Sequence, residues 1–298
     1  MSDTSAILLS KIDGTEKLKS VVRTMKAIAA SSIGSYENAV LALIDYERTV
    51  TLGLAAVLRQ NVVKPTPHIE QASSNAVGTI GAIVFGSDQG LVGQFNEIMT
   101  TFVIDTLDQL PGEKKIWVVG ERLFSRLAET KLALVGPYPV PGSVSAISQL
   151  VGRIQIDGDT CRLNNEFAQM YLFHNQPQAA SQYQPVCQQL LPLDARWQRA
   201  LATTPWPTKA LPEPVGEKET LLSDLIREYL FISVYKACAE SLASENASRL
   251  AAMQRAEKSI NELSDQLHRT FSRLRQNAID EELFDVIAGF NALTGFKI

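Results

Sequence analysis

The C-terminal part of this chain contains a stretch of about 70 residues without proline or glycine, the residues that most often interrupt a helix. It runs from 217 to 287, and a segment rich in proline, 205–216, precedes it. Since an α-helix rises about 1.5 Å per residue, a helix of this length is roughly 105 Å long. A globular domain of the remaining size is about 30–45 Å across. We therefore expect most of this helix to pack on another helix of the chain or on a partner protein.

A second long helix is predicted at the other end of the chain, over residues 4–60. Its seam residues follow one another at spacings of four and three: Leu18, Val22, Met25, Ala29, Ser32, Tyr36, Ala39, Leu43, Tyr46 and Val50. The last helix repeats this spacing with Ala256, Ile260, Leu263, Leu267, Phe271, Leu274 and Ala278. Such heptads drive two helices into a coiled coil. Because a folded segment separates the two helices, we predict that they pair antiparallel.

The middle of the chain predicts an α/β domain. Strand patterns at Thr79–Phe85, at 115–119 and, weakly, at 132–135 alternate with helical segments, which favours a largely parallel sheet with helices on its faces. Two further strands, 168–174 and Tyr183–Leu191, lie close together and suggest a final antiparallel hairpin.

The predicted fold class is therefore α/β, with a long antiparallel coiled coil of N- and C-terminal helices plus a central Rossmann-like α/β domain. The predicted boundaries are 1–64 for the first helix, 77–195 for the central domain, 196–216 for a proline-rich linker and 217–298 for the last helix.

A glycine-rich loop after the first strand is the most conspicuous candidate site. It contains Gly86, Asp88, Gly90 and Gly93, but it matches neither of the common phosphate-binding patterns. Asp88 in G-x-D-x-G resembles a nucleophile elbow, although enzymes of that kind have several strands upstream, where this chain has a helix. The favoured interpretation is a tight turn in which glycines supply positive φ and Ser87 or Asp88 caps the following helix.

The other reactive residue types give no site. His68, His174 and His268 have no carboxylate or cysteine at ligand spacing, so no metal, triad or cofactor is expected. The three cysteines, Cys161, Cys187 and Cys238, form no C-x-x-C pair and are interpreted as buried thiols of a reducing compartment.

Global properties exclude several classes of partner. The net charge of −4 argues against binding to nucleic acid. No run of about 18 apolar residues is present, so no membrane span is expected, and the acidic start lacks a signal-peptide pattern.

The end of the last helix is apolar although no mate is predicted for it. It carries Leu283, Phe284, Val286, Ile287, Phe290, Leu293 and Phe296. An exposed apolar tip is expected to aggregate or to bind a partner. The charged run before it, from Asp265 through Arg269, Arg273 and Arg275 to Glu282, reads either as a solvated helix face or as a polar contact collar.

Several segments resemble the gamma subunit of F-type ATP synthases. They are KIDGTEKLKSVVRTMKAIAAS (11–31), FGSDQGLVGQFN (85–96), ESLASENASRLAAM (240–253) and RQNAIDEELFDVIAG (275–289). The resemblance spans the chain and implies a coiled-coil rotor shaft inside a ring of alternating nucleotide-binding subunits. The shaft would have no active site of its own. The runner-up interpretation is a coiled-coil scaffold or adaptor without an ATPase partner.

The resemblance also implies partners and contact residues. The implied partners are the alpha and beta subunits of the hexamer, the epsilon subunit and the membrane c-ring, with no nucleic acid and no small-molecule substrate. The residues of this chain that would contact the catalytic subunits are Arg275, Gln276, Met25, Arg249, Asp280 and Glu282. The implied location is peripheral, on the cytoplasmic face of a bacterial inner membrane.

Some positions differ from the family's usual residues. Gln89 and Val92 stand where the family has arginine and cysteine, and 256–259 and Asp280 also depart from it. These departures indicate a divergent branch, such as an alternative ATPase of a bacterium.

Overall fold

A computed structural model describes residues 2–60, 79–163, 167–178, 182–192, 201, 203, 206–209 and 215–294. His68 lies outside these residues, as do the side chain of Cys161 and most of the predicted linker. In chain order, the elements are α1 (Ser2–Ala42), α2 (Ile44–Gln60), β1 (Thr79–Phe85), α3 (Phe95–Asp108), β2 (Lys114–Val119), α4 (Glu121–Leu127), β3 (Ala133–Tyr138), α5 (Val144–Leu163), β4 (Phe167–Pro177), β5 (Tyr183–Leu191) and α6 (Lys218–Thr294).

The five strands form one sheet in the order β3-β2-β1-β4-β5. β1 pairs parallel with both β2 and β4, and β2 pairs parallel with β3. β5 closes the sheet antiparallel to β4. The predicted α/β class, with a largely parallel sheet and a final hairpin, is confirmed.

Helices cover both faces of this sheet. β1 is buried along almost its whole length, as expected of a strand with helices on both sides. On one face, Ile80 and Val84 pack with Met99 of α3 and Leu123 of α4. On the other, all five strands, α1, α5 and α6 contribute core residues; they include Ile83, Phe85, Ile147, Val234 and Leu242.

The chain divides into two compact units. Unit 1 consists of Met1–Ile28 and Leu250–Ile298, and unit 2 of Ala29–Arg249. The long helices α1 and α6 contribute to both units. Unit 2 therefore contains the sheet together with the C-terminal end of α1, all of α2 and the first part of α6.

Within unit 2, the N-terminal helices pair antiparallel with α6, as predicted. Glu47 accepts a hydrogen bond from Lys236 at 3.0 Å, whereas Gly53, further along α2, lies beside Leu225, which is earlier in α6. An apolar cluster around Val50, Leu54 and Leu222 accompanies these contacts.

The prediction of one unbroken helix over 4–60 is wrong at Leu43, where α1 ends and α2 begins. The backbone N–H of Leu43 donates to the carbonyl of Val40 at 3.1 Å, a three-residue rather than a four-residue step. Because neither glycine nor proline is present there, nothing in the sequence marked the break.

The predicted seam is correct in part. Ala29, Tyr36 and Val50 are buried, but Tyr46 is exposed. In unit 1, Leu18 is 59% exposed, whereas Ile12 and Thr15 are buried, so the true seam runs one step to the side. On α6, the predicted residues Ile260, Leu267, Phe271 and Leu274 are half-buried, but Leu263 is exposed.

One stretch, Ser5–Arg59, is long and apolar enough to pass as a membrane span by length and composition alone. The requirement for an uninterrupted apolar run did not detect it, since its small and polar residues break such a run. A single helix of this kind near an N-terminus is weak evidence for a span.

Candidate functional site

The last turns of α6 form an apolar surface, which we call the tip and define as residues 279–290. Every residue of the tip is exposed. Its large apolar side chains are Ile279, Leu283, Phe284, Val286, Ile287 and Phe290, with Phe284 69% and Phe290 64% exposed. Because these side chains are exposed to solvent, the tip has the character of a surface for another molecule.

Four predicted contact residues lie in or next to the tip. Arg275, Gln276, Asp280 and Glu282 are all exposed. An α-helix turns about 100° per residue, so Arg275 and Glu282 share one face, and Gln276 and Asp280 share another, roughly 130° further round the helix. The four side chains thus present two polar stripes on different faces of the helix, at the base of the apolar tip.

Met25 lies in unit 1, half-buried, beside a charged cluster. Both neighbouring cations, Arg23 and Lys26, contact the carboxylate of Glu257, at 2.9 and 2.5 Å. The hydrogen bonds from Lys26 and Arg23 hold the pKa of Glu257 below its ordinary value. This cluster ties α1 to α6 and leaves one side of Met25 accessible.

Arg249 lies in unit 2 and is directed into its own chain. Its side chain is 13% exposed and contacts Glu245 at 2.5 Å and Asn246 at 3.3 Å. Burial raises the pKa of Glu245, Arg249 counteracts that effect, and the charge of Asp88 adds to it. A direct contact of Arg249 with a partner therefore stays a prediction.

The glycine-rich loop is a tight turn held by Asp88. One oxygen of its carboxylate accepts the backbone N–H of Glu121 at 3.0 Å, and the other accepts that of Val140 at 2.9 Å. Asp88 therefore caps α4. The expected cap on the following helix is wrong, because α3 begins after Gln94 without a side-chain cap.

The glycines of this loop serve different purposes. Gly93 has a positive φ of 60°, whereas the second positive φ belongs to Leu91 and neither Gly86 nor Gly90 has one. At Gly86 the requirement is space, since an added Cβ would lie 2.4 Å from the Cβ of Leu123. Ser87 is fixed by Asn96, whose side-chain oxygen accepts its backbone N–H at 3.1 Å.

Sequence reasoning missed a polar contact of His174. Its Nε2 lies 2.8 Å from the carboxylate of Glu240, which is 66 residues away in sequence and equally buried. The fold supplies His174 with a carboxylate partner that spacing along the chain does not show. A signal was present in α6, where the polar residues Glu240, Ser244 and Ser248 recur every four positions.

The described residues contain no group of three or more histidine, cysteine, aspartate or glutamate side chains able to hold a metal ion. Cys187 and Cys238 are free thiols, the first half-buried and the second buried. Burial raises the pKa of Cys187 to about 11 and raises that of Cys238 as well. Neither is therefore an activated nucleophile.

A family model described as ATP synthase matches residues 5–293, nearly the whole chain. The chain belongs to the ATP synthase family. Two curated relatives are ATP synthase gamma chains. That of Nitrosomonas eutropha is 25% identical, over 95% of this chain and 97% of the relative. That of Brevibacillus brevis is 26% identical, over 94% and 96%.

Solved structures of ATP synthases share the fold of this subunit. A chain of the Euglena gracilis mitochondrial ATP synthase, in an assembly of OSCP, F1 and c-ring, gives a TM-score of 0.62 at 16% identity, covering 100% of this chain and 97% of that one. A chain from the central stalk and c-ring of the Tetrahymena thermophila mitochondrial ATP synthase gives 0.52 at 23% identity, covering 79% and 99%. The prediction of a gamma-type central-stalk subunit is confirmed, and a free-standing adaptor is not favoured.

Proposed function

We propose that this ATP synthase subunit is the central rotor shaft that couples ion-driven rotation to conformational change at the nucleotide sites of a surrounding hexamer. The observation that carries the proposal is the tip, a run of exposed apolar side chains at the end of a 77-residue helix. A helix of that length with an exposed apolar end is typical of a chain that binds a partner there.

The coupling follows from the asymmetry of the shaft. The tip has unlike faces, because the polar stripe of Arg275 and Glu282 and that of Gln276 and Asp280 point in different directions. At any one rotational angle of the shaft, each surrounding subunit of the hexamer therefore faces different side chains. A contact that binds one conformation of a catalytic subunit better than another shifts the population of that subunit, and rotation passes the preference to the next subunit.

Arg275 and Gln276 are proposed to carry the main polar contact with a catalytic subunit. A guanidinium offers a fixed, charge-assisted fork to carboxylate or carbonyl oxygens, and a neighbouring amide adds a donor and an acceptor. Met25, Asp280 and Glu282 are proposed as further contacts on the same subunits. Arg249 is included as a proposed contact that acts through its pair with Glu245.

The proposed partners are the alpha and beta subunits of the hexamer, an epsilon subunit and a membrane c-ring. Transport of protons or of another ion, membrane association through the complex and a peripheral position on the cytoplasmic face of a bacterial inner membrane belong to the same proposal. So do the predicted boundaries 1–64, 77–195, 196–216 and 217–298. The similarity to gamma chains over nearly the whole length supports these assignments.

The test replaces Arg275 and Gln276 by alanine in the assembled complex. We expect ATP hydrolysis to fall by at least about tenfold, since one charge-assisted contact contributes about 1.5–3 kcal/mol. Circular dichroism and the melting temperature of the free subunit should stay unchanged because both side chains are exposed.

Glu281→Ala is the matched control, because this exposed charged residue lies on the same stretch of helix but on a face outside the two stripes. Native mass analysis of the purified complex should show a single copy of this chain inside the ring. Wild-type turnover in the double variant would remove the assigned contact, and recovery of the chain only as a free homodimer would overturn the rotor function.

A further inference from the structure

Three polar side chains of α6 form a ladder against the α/β sheet. Glu240, Ser244 and Ser248 are four residues apart, so they lie on one face of the helix. All three are buried although polar, in a fully buried stretch of helix, 237–248, whose other residues are partly apolar and partly polar. We call these three residues the polar ladder.

Each member of the polar ladder contacts a different residue of the sheet domain, by which we mean the α/β sheet with its loops and covering helices. Glu240 contacts Nε2 of His174 at 2.8 Å. The hydroxyl of Ser244 donates to the carbonyl oxygen of Asn175 at 2.9 Å. The hydroxyl of Ser248 donates to the carbonyl oxygen of Val92 at 2.5 Å. Three successive turns of the helix are thus each bonded to the sheet domain.

The ladder meets the sheet where open α/β folds usually bind their ligands. The strand order β3-β2-β1-β4-β5 reverses between β1 and β4, which makes the carboxyl ends of these strands a topological switch point. His174 and Asn175 follow the last residue of β4 that is paired with β1, and Val92 lies in the loop after β1. At this position α6 of the same chain takes the place of a ligand.

The other contacts around the polar ladder are apolar. Ala237 and Ala243 pack beside it together with the larger side chain of Leu242, and apolar contacts are not directional. Buried hydrogen bonds are directional, and a turn or slide of the helix by one residue would leave Glu240 and His174 without partners in a dry environment. Buried polar residues specify the register of paired helices for the same reason.

We propose that the polar ladder sets the axial and rotational register of α6 on the α/β sheet, so that the sheet domain and the helix turn together under torque. Glu240, Ser244 and Ser248 are thereby positioning residues of the rotor. This inference rests on the proposed function, because only a shaft under torque needs such a register.

The experiment uses the assembled, membrane-bound complex with S244A and S248A combined in this subunit. Each lost hydrogen bond raises the population of slipped states about fivefold, so we expect the ions pumped per ATP hydrolysed to fall at least about twofold. ATP hydrolysis itself should stay near the wild-type rate, since the tip is untouched.

Ser233→Ala is the matched control. Ser233 is also a buried serine of α6, but its hydroxyl donates to the carbonyl of Tyr229 in its own helix. It should keep the wild-type ratio of pumping to hydrolysis. A second pair of variants tests the contact between Glu240 and His174. Glu240→Ala should lower the number of ions pumped per ATP hydrolysed, whereas Glu240→Gln, which still reaches His174, should lower it less.

Different outcomes would contradict the role of the polar ladder and the proposed rotor function. A wild-type number of ions pumped per ATP in the S244A/S248A complex, or an equal loss in Ser233→Ala, would show that the polar ladder does not set the register of α6. If the double variant does not assemble, the single variant S248A decides by the same measurement. A wild-type complex that hydrolyses ATP without pumping ions contradicts the proposed function instead.

Discussion

Glu245 lies on α6 with almost no exposure to water, paired with Arg249 at 2.5 Å. Removing a carboxylate from water costs free energy, and the arginine offsets only part of that cost. The nearby charge of Asp88 acts in the same direction as burial. At this position the fold maintains a charge pair at the expense of stability, next to the serines and the glutamate that fix the helix on the sheet.

The raised pKa of Glu245 predicts how stability changes with pH. Above its ordinary pKa of 4.5, the folded chain retains a proton on Glu245 that the unfolded chain has released. The contribution of Glu245 to stability is therefore fully present below 4.5 and is lost as the pH rises through its folded-state pKa. We expect Glu245→Gln to flatten this decline in urea unfolding of the full-length chain between pH 4.5 and 7.

Glu257 supplies the opposite control, because Lys26 and Arg23 lower its pKa. Its contribution is present above the ordinary value of 4.5 and is lost as the pH falls through the lower folded-state pKa. Glu257→Gln should therefore change the profile only on the acidic side. An unchanged slope above pH 4.5 in Glu245→Gln would contradict the assignment of the raised pKa to this carboxyl.

The helices and strands were largely predictable from the sequence, and their pairing partners only in part. β1 and β5 were predicted at their observed bounds and the other strands to within a few residues. β1 was the clearest case, because a continuous apolar run marks a buried parallel strand. The buried stripe of α1 was harder to predict from the sequence. Leu18 fits a heptad and is exposed, whereas Thr15, seven residues before Val22, is buried with its hydroxyl donating to the carbonyl of Lys11 at 2.7 Å. A sequence pattern cannot show that a polar residue has satisfied its own hydrogen bond.

The candidate site was predictable where it depended on resemblance and on apolar exposure, and not where it depended on contacts between distant residues. The exposed tip follows from helix length alone. The contacts of His174 with Glu240 and of Asp88 with α4 require the fold, because they join residues that the chain separates widely.

The shifted seam of α1 gives a test at the scale of the element. Ile12 is 8% exposed and Leu18 is 59% exposed. We expect Ile12→Ala to lower the free energy of unfolding of unit 1 by about 2–4 kcal/mol, because a buried cavity results. Leu18→Ala should change it by less than about 0.5 kcal/mol.

Hydrogen exchange of the α1 amides in the full-length chain measures the free energy of local opening of this helix in both variants. Equal effects of the two substitutions would mean that the seam passes through Leu18 after all.

Among the described residues, the large exposed apolar side chains are unevenly distributed. Large exposed apolar residues occur along α1 and at the end of α6 far more than on the sheet domain. Proteins that work alone rarely expose contiguous apolar patches of that extent. The molecule is therefore expected to behave as a component, stable in an assembly and prone to self-association outside it.

The tip makes that expectation measurable. In the isolated full-length chain, replacing Phe284 and Val286 by serine should reduce self-association, seen as lower light scattering at equal concentration, because exposed apolar area is removed. The melting temperature should stay within a few degrees, since both side chains already face water. Leu91→Ser is the control, because Leu91 is similarly exposed but lies in the glycine-rich loop of the sheet domain.

The same tip variant should also assemble less completely with the hexamer subunits in native mass analysis, because the contact that stabilises the complex is lost. Full assembly of the tip variant, or an equal drop in scattering with Leu91→Ser, would show that the apolar end of α6 is not the surface that the partner recognises.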